Sequence, residues 1–447
     1  IDAINNGAKI INTKKNIKFR DKNIIFFRED NPRKLLAEIS FKLIKNKPTN
    51  LIAVTGTNGK SSIADFYYQI LTLNNKKAAT IGTLGVRSKT VNFDLLNTTI
   101  DPIHLGQILK KLKNHRIENV IMEASSHGLD QNRLDGLIFN TGIFTNLSQD
   151  HLDYHKNLKD YLDAKLYLFR NLIKKKGNII TDSKIPEFVE IKKIAKKKFL
   201  KLNTIKGKNE KLKILTHSFH NESQILKIKY KGVVKHIRIN LIGKIQIKNI
   251  LMALIAAEKS GLNLNKILNV LPSLKPIEGR FEKIGMIKNK SKVILDYAHT
   301  PDALKTCLLN LKEQFPDKKI ISLFGCGGNR DQNKRSKMGK IADIFSDEIY
   351  LTDDNPRFES SHKIRKDIRT GIKKTKVIEI SDRGKAIAQA IKNLRTGEIL
   401  LVAGKGHEKV QDIGKQKIFF SDKKIILESI KTKNRSLSNN LKLNIIR

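Results

Sequence analysis

A single stretch of the sequence combines the residue types that bind polyphosphates. Residues 51–62 read Leu-Ile-Ala-Val-Thr-Gly-Thr-Asn-Gly-Lys-Ser-Ser, an apolar run followed by a glycine-bounded turn. In such a turn the glycines let the backbone approach phosphate groups, the lysine reaches the terminal phosphates and a serine hydroxyl binds Mg²⁺. Helical spacing continues from Ile63 to Leu73, so the turn lies at a helix N-terminus, which favours an anion. The pattern predicts nucleotide binding. The residues of this phosphate turn are Gly56, Thr57, Asn58, Gly59, Lys60, Ser61 and Ser62.

Other polar residues follow the predicted strands of the same sheet. Strands alternate with helical segments here, which indicates a doubly wound, mainly parallel sheet covered by helices. The predicted strands are residues 78–83, 120–124 and 142–147. Ligands collect at the carboxyl ends of such strands. Glu123 and Ser125 close one strand and residues 146–151 follow another, so we expect them to converge on the edge that holds Lys60.

The composition describes a globular protein with an unusually basic charge. Hydrophobic residues make up 39% of the 447 residues, and 87 basic against 43 acidic side chains give a net charge of +44. This charge raises nucleic acid or an acidic membrane surface as a partner. The lysines are dispersed, however, and no aromatic-interleaved basic motif accompanies them. We therefore expect lysine to be the ordinary surface residue here, and no nucleic-acid partner.

Cysteine content and hydropathy suggest a compartment. Cys307 and Cys326 are the only cysteines and form no CxxC pair, so neither a disulfide framework nor a cysteine zinc site is expected. No apolar run reaches membrane-spanning length, and no signal peptide precedes the first predicted strand. We expect a cytoplasmic, monomeric protein that does not insert into membranes. The chain begins at Ile1 without a methionine, which suggests a truncated N-terminus.

Changes in the spacing of apolar residues divide the chain into predicted domains. Residues 1–48 form a small α/β piece, and residues 49–275 form the central P-loop domain. Within that domain, apolar residues alternate with lysines between 212 and 241, which predicts an antiparallel appendage. Strand and helix patterns then alternate afresh, so residues 276–432 are predicted to form a second, Rossmann-like domain. Residues 433–447 read as a frayed basic tail.

Four further motifs give the chain a resemblance to a known family. They are residues 123–133 (Glu-Ala-Ser-Ser-His-Gly-Leu-Asp-Gln-Asn-Arg), 145–155 (Thr-Asn-Leu-Ser-Gln-Asp-His-Leu-Asp-Tyr-His), 354–357 (Asp-Asn-Pro-Arg) and 404–408 (Gly-Lys-Gly-His-Glu). Together with the phosphate turn, and in this order, they resemble the motifs of the Mur ligases. These are ATP-dependent enzymes that form amide bonds in peptidoglycan synthesis. The chain looks most like the member that adds the third residue of the stem peptide.

The resemblance implies a three-domain α/β architecture, in which residues 1–48 would be part of the domain that binds the UDP-linked substrate and residues 276–432 would bind the amino acid. It also implies a specific reaction. The enzyme would join meso-diaminopimelate to the D-glutamate γ-carboxylate of UDP-N-acetylmuramoyl-L-alanyl-D-glutamate. ATP would first phosphorylate that carboxylate to an acyl phosphate, which the incoming amine attacks. Because ATP and the carboxylate are both anions, Mg²⁺ and cationic groups must neutralise charge at the transferring phosphoryl group.

The resemblance also implies catalytic and metal-binding roles. Its catalytic residues are Lys60, Glu123, His151 and Lys165, and its Mg²⁺ ligands are Ser61, Glu123, His151 and Lys165. Lys165 would react with CO₂ to form a carbamate, which turns a cation into an anionic ligand once desolvation and nearby Mg²⁺ favour loss of the proton. Without the motifs, Glu123 reads as a surface carboxylate, His151 as a loop histidine and Lys165 as a solvated lysine.

Substrate contacts are implied in the same way. The muramyl dipeptide would contact Thr98, Thr99, Ser125, Gln131 and Arg133, and ATP would also contact Asn249 and Arg280. The diaminopimelate residues would be Arg330, Asp354, Asn355, Pro356, Arg357, Gly404 and Glu408. The distal end of diaminopimelate carries a carboxylate, which suits guanidinium groups, and an ammonium, which suits Glu408. Lysine-adding relatives lack the arginine of the Asp-Asn-Pro-Arg motif, so Arg357 favours diaminopimelate.

Three alternative functions stay open, and one repeated motif needs a separate interpretation. The chain could be a lysine-adding ligase, a folylpolyglutamate synthetase or, from a different class, a nucleic-acid-binding P-loop ATPase. Residues 30–33 repeat the Asp-Asn-Pro-Arg tetrapeptide. This copy precedes the phosphate turn and opens a helical pattern, so we predict a helix start there and no ligand site.

Overall fold

The structure is a computed structural model that describes residues 2–14, 23–205, 212–230 and 232–445. At the N-terminus, two short parallel strands are flanked by two helices. Their bounds are α1 Asp2–Asn5, β1 Ile10–Thr13, β2 Ile25–Arg28 and α2 Pro32–Leu43. Asn31 caps α2 by accepting a hydrogen bond from the backbone N–H of Lys34, with Pro32 in the first turn. The first Asp-Asn-Pro-Arg copy is therefore a helix start, as predicted.

The central sheet has seven strands in the order β5-β4-β6-β3-β7-β8-β9, parallel except for the β4–β5 pair. The strands are β3 Asn50–Thr55, β4 Ala78–Gly82, β5 Gly85–Ser88, β6 Asn119–Glu123, β7 Phe139–Phe144, β8 Ile173–Thr181 and β9 Lys201–Thr204. Helices cover both faces, as expected for buried parallel strands. They are α3 Lys60–Leu73, α4 Pro102–Asn114, α5 Ser126–Asp130, α6 Leu158–Tyr167 and α7 Phe188–Lys197. The predicted parallel, doubly wound sheet is confirmed.

Two elements of this domain end in ways that affect the site. The helix that carries Lys165 is α-helical from Leu158 to Tyr167, continues as a π-helical turn over Leu168–Leu172 and gives way to β8 at Ile173. The strand predicted over 142–147 ends at Phe144. It ends early because Asn146 leaves the ladder and accepts a hydrogen bond from the backbone N–H of Thr57 in the phosphate turn.

The antiparallel appendage is confirmed as a three-stranded sheet. It consists of β10 Leu212–His220, β11 Ser223–Tyr230 and β12 Val233–Ile239, and Lys231 lies outside the described residues. Leu226 and Ile228 of β11 are buried in the same core as α8. The helices that follow are α8 Lys244–Lys259 and α9 Leu264–Val270, with a short 3₁₀ turn over Leu271–Ser273.

The C-terminal sheet has six strands in the order β13-β14-β18-β15-β16-β17, all parallel except β13. Its strands are β13 Glu282–Lys283, β14 Lys292–Asp296, β15 Ile320–Phe324, β16 Glu348–Leu351, β17 Val377–Glu379 and β18 Ile399–Ala403. A hairpin, β19 Val410–Ile413 and β20 Gln416–Phe419, follows β18. The helices are α10 Pro301–Gln314, α11 Lys334–Phe345, α12 Ser361–Arg369, α13 Arg383–Asn393 and α14 Asp422–Ile445. This is the second doubly wound sheet that the sequence predicts.

The predicted frayed tail is wrong for the part that the structure describes. Helix α14 continues to Ile445, and Leu437 packs against the core that lies beneath it. The domain limits 1–48, 49–275, 276–432 and 433–447 stay predictions. Across the described ranges, no helix combines the length and the apolarity that crossing a membrane requires.

The two large sheets are joined at the start of α8. Gly243 lies before α8 and provides no side-chain cap. Its backbone N–H donates to Oε1 of Gln314 at 2.7 Å, and the N–H of Ile245 donates to Oδ1 of Asn310 at 2.8 Å. Both acceptors belong to α10. A helix of the C-terminal sheet therefore caps the helix that carries Asn249, which satisfies N–H groups that would otherwise lack partners.

Candidate active site

The phosphate turn is held in shape by the end of β7. Gly56 has φ +143°, and a Cβ there would lie 1.8 Å from Oγ1 of Thr145. That hydroxyl donates to the carbonyl oxygen of Asn58 at 2.6 Å, and the N–H of Asn58 donates to Oδ1 of Asn146 at 2.9 Å. Thr57 adds a contact between its hydroxyl and that of Tyr161, at 3.2 Å. Only glycine fits at position 56, because the chain approaches itself so closely there.

Lys60 begins α3 and folds back over the turn. Its Nζ donates to the carbonyl oxygens of Gly56, at 3.0 Å, and Thr57, at 2.8 Å. Burial lowers the pKa of Lys60, although the Glu123 carboxylate opposes this shift. Ser61 and Ser62 follow in the first turn of α3 and are buried. The Lys60 ammonium thus binds back to the carbonyl oxygens of its own phosphate turn.

Lys165 is a buried lysine, not a solvated one. Its side chain is 1% exposed, and Nζ donates to the carbonyl oxygen of Gly56 at 2.9 Å while lying 4.1 Å from the centre of the Tyr161 ring. Burial, reinforced by the nearby Lys60 ammonium, holds the pKa of Lys165 well below its usual range. Its amine is therefore much more readily deprotonated than that of an exposed lysine.

Glu123 lies at the end of β6 and is 3% exposed. Its two carboxylate oxygens each accept one hydrogen bond from Thr83, from the backbone N–H at 2.9 Å and from the hydroxyl at 3.1 Å. A carboxylate accepts about four hydrogen bonds, so both oxygens keep a free lone pair. Gly82 permits this position, since a Cβ there would lie 2.3 Å from Oε1 of Glu123.

A cavity of about 250 Å³ brings most of the predicted catalytic residues together. Its lining includes Lys60, Ser61, Glu123, His151, Asn249 and Arg280. Hydroxyl and carboxylate oxygens are the ligands that Mg²⁺ prefers, and Mg²⁺ usually takes only one or two carboxylates beside substrate phosphates. The residues present fit that pattern. In the described part of the chain, no group of three or more His, Cys, Asp or Glu side chains forms a metal site of its own.

His151 lines the same cavity with its backbone in the left-handed region, φ +54°. Burial lowers the pKa of His151 to about 4, even though Asp150 beside it favours the charged form. The imidazole is therefore neutral at physiological pH, the form that binds metal ions. His127 stands edge-on to it, with ring centres 4.8 Å apart.

The residues predicted to contact the muramyl dipeptide form one hydrogen-bonded group beside Glu123. The Thr99 hydroxyl donates to the Glu123 carbonyl oxygen at 2.8 Å and accepts from the backbone N–H of Ser125 at 2.9 Å. Arg133 donates to the carbonyl oxygen of Thr99 at 2.5 Å and to Oε1 of Gln131 at 2.7 Å. The hydroxyl of Thr98, the remaining member, lies 3.0 Å from that of Thr83. All five residues thus lie close together.

Asn249 and Arg280 reach the phosphate turn from α8 and from the segment before β13. A Cβ on Gly59, which has φ +88°, would lie 2.9 Å from Oδ1 of Asn249. Arg280 donates from Nη2 to the Ser61 hydroxyl at 3.2 Å, and its guanidinium lies 4.5 Å from the centre of the Tyr297 ring. Both side chains are placed to contact a nucleotide that occupies the turn.

The two arginines predicted for diaminopimelate lie on either side of Gly327. A Cβ on Gly327 would be 2.9 Å from Nη1 of Arg357 and 3.9 Å from Cγ of Arg330. Arg357 has φ +52° and donates from Nη1 to the carbonyl oxygen of Gly328 at 2.8 Å. Arg330 is half exposed and forms a 3.3 Å ion pair with Asp153 of the central region. The structure therefore brings the Arg357 guanidinium and the aliphatic part of the Arg330 side chain close to Gly327.

Glu408 faces the same region from the loop after β18. Its Oε2 accepts from Nδ2 of Asn355 at 3.0 Å, and its Oε1 accepts from the hydroxyl of Tyr297 at 3.2 Å. Gly404, with φ +116°, lets Asp354 approach, since a Cβ there would be 2.6 Å from Oδ2 of Asp354. Pro356 is the last residue of the predicted set. Its carbonyl oxygen packs against Gly328, and a Cβ on Gly328 would lie 2.0 Å from that oxygen.

Sequence reasoning missed several residues that hold these groups. They are Thr83, Thr145, Tyr161, Tyr297 and Lys405. Thr145 and Lys405 lie inside motifs that were recognised, so their presence in those motifs was an available signal. Thr83 follows a predicted strand, but its pairing with Glu123 joins positions 40 residues apart. No local pattern carries that information.

Matches to known proteins cover most of the chain. The model of the Mur ligase middle domain matches residues 54–257, and that of the Mur ligase glutamate ligase domain matches residues 279–406. A UDP-N-acetylmuramoyl-L-alanyl-D-glutamate–2,6-diaminopimelate ligase of Rickettsia bellii (strain RML369-C) is 40% identical over 433 residues, which cover 95% of this chain and 89% of that protein. The same-named protein of Zymomonas mobilis subsp. mobilis (strain ATCC 31821 / ZM4 / CP4) is 38% identical over 413 residues, with 92% and 84% covered.

Solved structures show the same fold. A structure titled as UDP-N-acetylmuramoyl-L-alanyl-D-glutamate–2,6-diaminopimelate ligase matches with a TM-score of 0.68 and 29% identity, covering 96% of this chain and 88% of that one. A MurF ligase from Thermotoga maritima in complex with ADP matches with a TM-score of 0.66 and 17% identity, covering 97% and 91%. At that identity the second likeness concerns the fold alone.

Proposed function

The chain belongs to the Mur ligase family, and from that membership we propose its reaction. It is an ATP-dependent ligase that adds meso-2,6-diaminopimelate to the D-glutamate γ-carboxylate of UDP-N-acetylmuramoyl-L-alanyl-D-glutamate. The relatives that bear this name, at 40% identity over 95% of the chain, support the proposal. So do the residues of the amino-acid pocket, which match the two charges of the substrate.

The observation that carries the choice of amino acid is the pair of arginine side chains, Arg330 and Arg357, beside Gly327. The distal end of diaminopimelate bears a carboxylate and an ammonium, whereas L-lysine bears the ammonium alone. Arg330 and Arg357 supply donors for a carboxylate, and Glu408 supplies an acceptor for an ammonium. With L-lysine in the pocket, the guanidinium groups would lack their anionic partner, which costs affinity.

The phosphate turn and its neighbours support binding of ATP next to the acceptor carboxylate. Lys60 can turn from the carbonyl groups of Gly56 and Thr57 toward a terminal phosphate, and Arg280 lies at the Ser61 hydroxyl. Both cations lower the cost of bringing two anions together. Ser61, Glu123 and His151 would hold Mg²⁺, which when bound neutralises charge on the phosphoryl group.

Lys165 has the surroundings that carbamate formation requires. An uncharged amine attacks the carbon of CO₂, a C–N bond forms and the nitrogen loses a proton. Burial and the low pKa of Lys165 favour the uncharged amine. The resulting carbamate would be a further Mg²⁺ ligand. We include this modification in the proposal as the role of Lys165.

Contacts between the two sheets support exclusion of water from the acyl phosphate. Asn58 in the phosphate turn donates to Asp302 at the start of α10, at 3.4 Å. Lys337 of α11 donates to Gln149 at 3.1 Å, and Arg330 pairs with Asp153. The cavity thus lies between the two regions, where closure would shield a reactive intermediate.

Location and assembly follow from the same proposal. Use of ATP and of a UDP-linked substrate supports a cytoplasmic enzyme. One chain carries all the proposed nucleotide, dipeptide and amino-acid residues, which supports a monomer. Light scattering on the purified protein would test the latter, and a dimer mass would contradict it.

The function is tested by phosphate release from ATP in the presence of the muramyl dipeptide. We expect release with meso-diaminopimelate and little release with L-lysine. Arg357→Ala should raise KM for diaminopimelate about 10- to 100-fold, as loss of hydrogen bonds to a charged group predicts. Arg369→Ala, which changes an exposed arginine of α12, is the matched control. Equal use of L-lysine by the wild type would contradict the proposed substrate.

A further inference from the structure

Lys405 is a fully buried cation that the proposed reaction does not use. Its side chain is 0% exposed and lies between the end of β18 and the start of β19. The ammonium donates to Oε2 of Glu408 at 3.0 Å, to Oδ1 of Asn355 at 2.8 Å and to the carbonyl oxygen of Val410 at 2.7 Å. A lysine ammonium has three donors, so all are engaged and none is left for a substrate.

The Glu408 carboxylate accepts hydrogen bonds from three residues and is still partly exposed to solvent. Oε2 accepts from both Lys405 and Asn355, and Oε1 accepts from the hydroxyl of Tyr297. The Glu408 side chain nevertheless remains 30% exposed. A glutamate on a loop normally samples several rotamers, and a substrate must then offset the entropy of fixing one. Here Lys405, Asn355 and Tyr297 already hold the Glu408 side chain in one rotamer, so substrate binding does not have to offset that entropy.

The same ammonium joins three segments of the chain around Glu408. Asn355 belongs to the Asp-Asn-Pro-Arg segment, Glu408 to the loop after β18 and Val410 to the β19–β20 hairpin. Oδ1 of Asn355 also accepts from the backbone N–H of Asp412, at 3.1 Å. The Arg357 backbone N–H donates to the carbonyl oxygen of Asp412 at 3.0 Å. Moving Lys405 would therefore disturb Glu408 and the segment that bears Arg357.

From these contacts we propose that Lys405 is a positioning residue for the amino acid. It fixes the Glu408 carboxylate in the orientation that receives the distal ammonium, and it acts through Glu408 without touching the substrate. This inference rests on the proposed diaminopimelate reaction and goes beyond it, because it assigns a role to a residue outside the set that contacts substrate. A group acting in this way affects the amino acid and leaves the first half-reaction unchanged.

The test separates the two half-reactions in Lys405→Met. Hydroxylamine attacks the acyl phosphate to give a hydroxamate and phosphate, so it reports the ATP-dependent step without using the amino-acid pocket. We expect hydroxamate formation and KM values for ATP and the dipeptide like those of the wild type. KM for diaminopimelate should rise about 10- to 100-fold. Lys409→Met, which removes an exposed lysine of the same loop, should leave every parameter unchanged.

A double variant separates positioning from a merely structural role and remains useful if Lys405→Met folds poorly. Removing both members of a buried ion pair leaves no unpaired charge, so Lys405→Met combined with Glu408→Gln is the milder change. If Lys405 acts through Glu408, the double variant has the same KM for diaminopimelate as Glu408→Gln alone. A further rise in KM in the double variant would overturn the proposal.

Two other results would also overturn it, and they are distinguishable. If the wild type uses diaminopimelate and Lys405→Met shows the wild-type KM for it, only the role of Lys405 fails. If the wild type forms hydroxamate but releases no phosphate with diaminopimelate, the proposed substrate fails and the role of Lys405 fails with it.

Discussion

Lys165 donates a hydrogen bond from Nζ to the carbonyl oxygen of Gly56, the glycine that opens the phosphate turn, at 2.9 Å. A side chain of α6 is thereby attached to the strand–turn–helix unit that is proposed to bind the nucleotide. The donor amine is buried, and its pKa is held well below the usual range by burial and by Lys60. The same position thus places a nitrogen that loses its proton more readily than an exposed lysine next to the phosphate turn.

The first prediction concerns this amine. Lys165→Met should lower the rate of phosphate release by about 10² or more, the scale on which loss of a group that stabilises transition-state charge acts. In the wild type, labelled bicarbonate should give a carbamate signal by NMR that is absent from the variant. Lys159→Met changes an exposed lysine of the same helix and serves as control. Retention of activity by Lys165→Met would refute the catalytic role.

The second prediction concerns the close approach at Gly56. Gly56→Ala should abolish ATP binding measured by calorimetry, because the new Cβ would lie 1.8 Å from Oγ1 of Thr145. Gly261→Ala is an informative control, since Gly261 also has positive φ, +89°, but no atom lies within 4 Å of the position of its Cβ. The control should cost about 1 kcal/mol of stability and no ATP affinity. Normal ATP affinity in Gly56→Ala would contradict the steric argument.

Much of this fold could be predicted because its signals are local. The alternation of apolar strands with amphipathic helices predicted both sheets, and the strands predicted over residues 78–83 and 120–124 lie within one residue of their bounds in the structure. The first Asp-Asn-Pro-Arg copy, at residues 30–33, could be excluded as a ligand site because it lies at the start of a helix. Such patterns depend on neighbours within a few residues, which a single sequence contains.

The remaining features depend on distant contacts. Lys165 looked solvated from composition, but its partner Gly56 is 109 residues away and only the fold brings them together. Lys405 was passed over inside a recognised motif because its partner Asn355 is 50 residues distant. The polar residues after 432 suggested a frayed tail, but Leu437 packs against the apolar core beneath α14. In each case tertiary packing overrides the local preference.

The third prediction separates the two contacts of Arg330. This arginine pairs with Asp153 of the central region, and its side chain is 53% exposed. An ion pair this exposed contributes about 0–1 kcal/mol, so Asp153→Asn should change KM for diaminopimelate by less than about fivefold. Arg330→Ala should raise that KM about 10- to 100-fold if the guanidinium binds the distal carboxylate. Equal effects of the two variants would mean that Arg330 acts through the ion pair alone.

The fourth prediction concerns the joint between the two sheets. Gln314 is 6% exposed; it accepts from the N–H of Gly243 and donates to the carbonyl oxygen of Asn221 at 3.0 Å. Gln314→Ala leaves both groups without this partner and should lower the free energy of unfolding by about 1–3 kcal/mol in urea. Gln389→Ala, at an exposed site on α13, should have little effect. A stable Gln314→Ala variant would show that the cap is dispensable.

The last prediction is a pH dependence of stability at His407, whose ring centre lies 5.1 Å from that of Tyr297. Burial, helped by the positive charges of Arg280 and Lys409, lowers the pKa of His407 to about 3 from its ordinary value of 6.5. Between these pH values the unfolded chain binds a proton that the folded protein does not, so stability rises with pH across the window and falls on acidification. His407→Gln should therefore lose less stability than the wild type between about pH 6.5 and pH 4, measured as Tm. The same dependence of Tm on pH in the wild type and His407→Gln would contradict this prediction. His236→Gln, which changes an exposed histidine of β12, is the control.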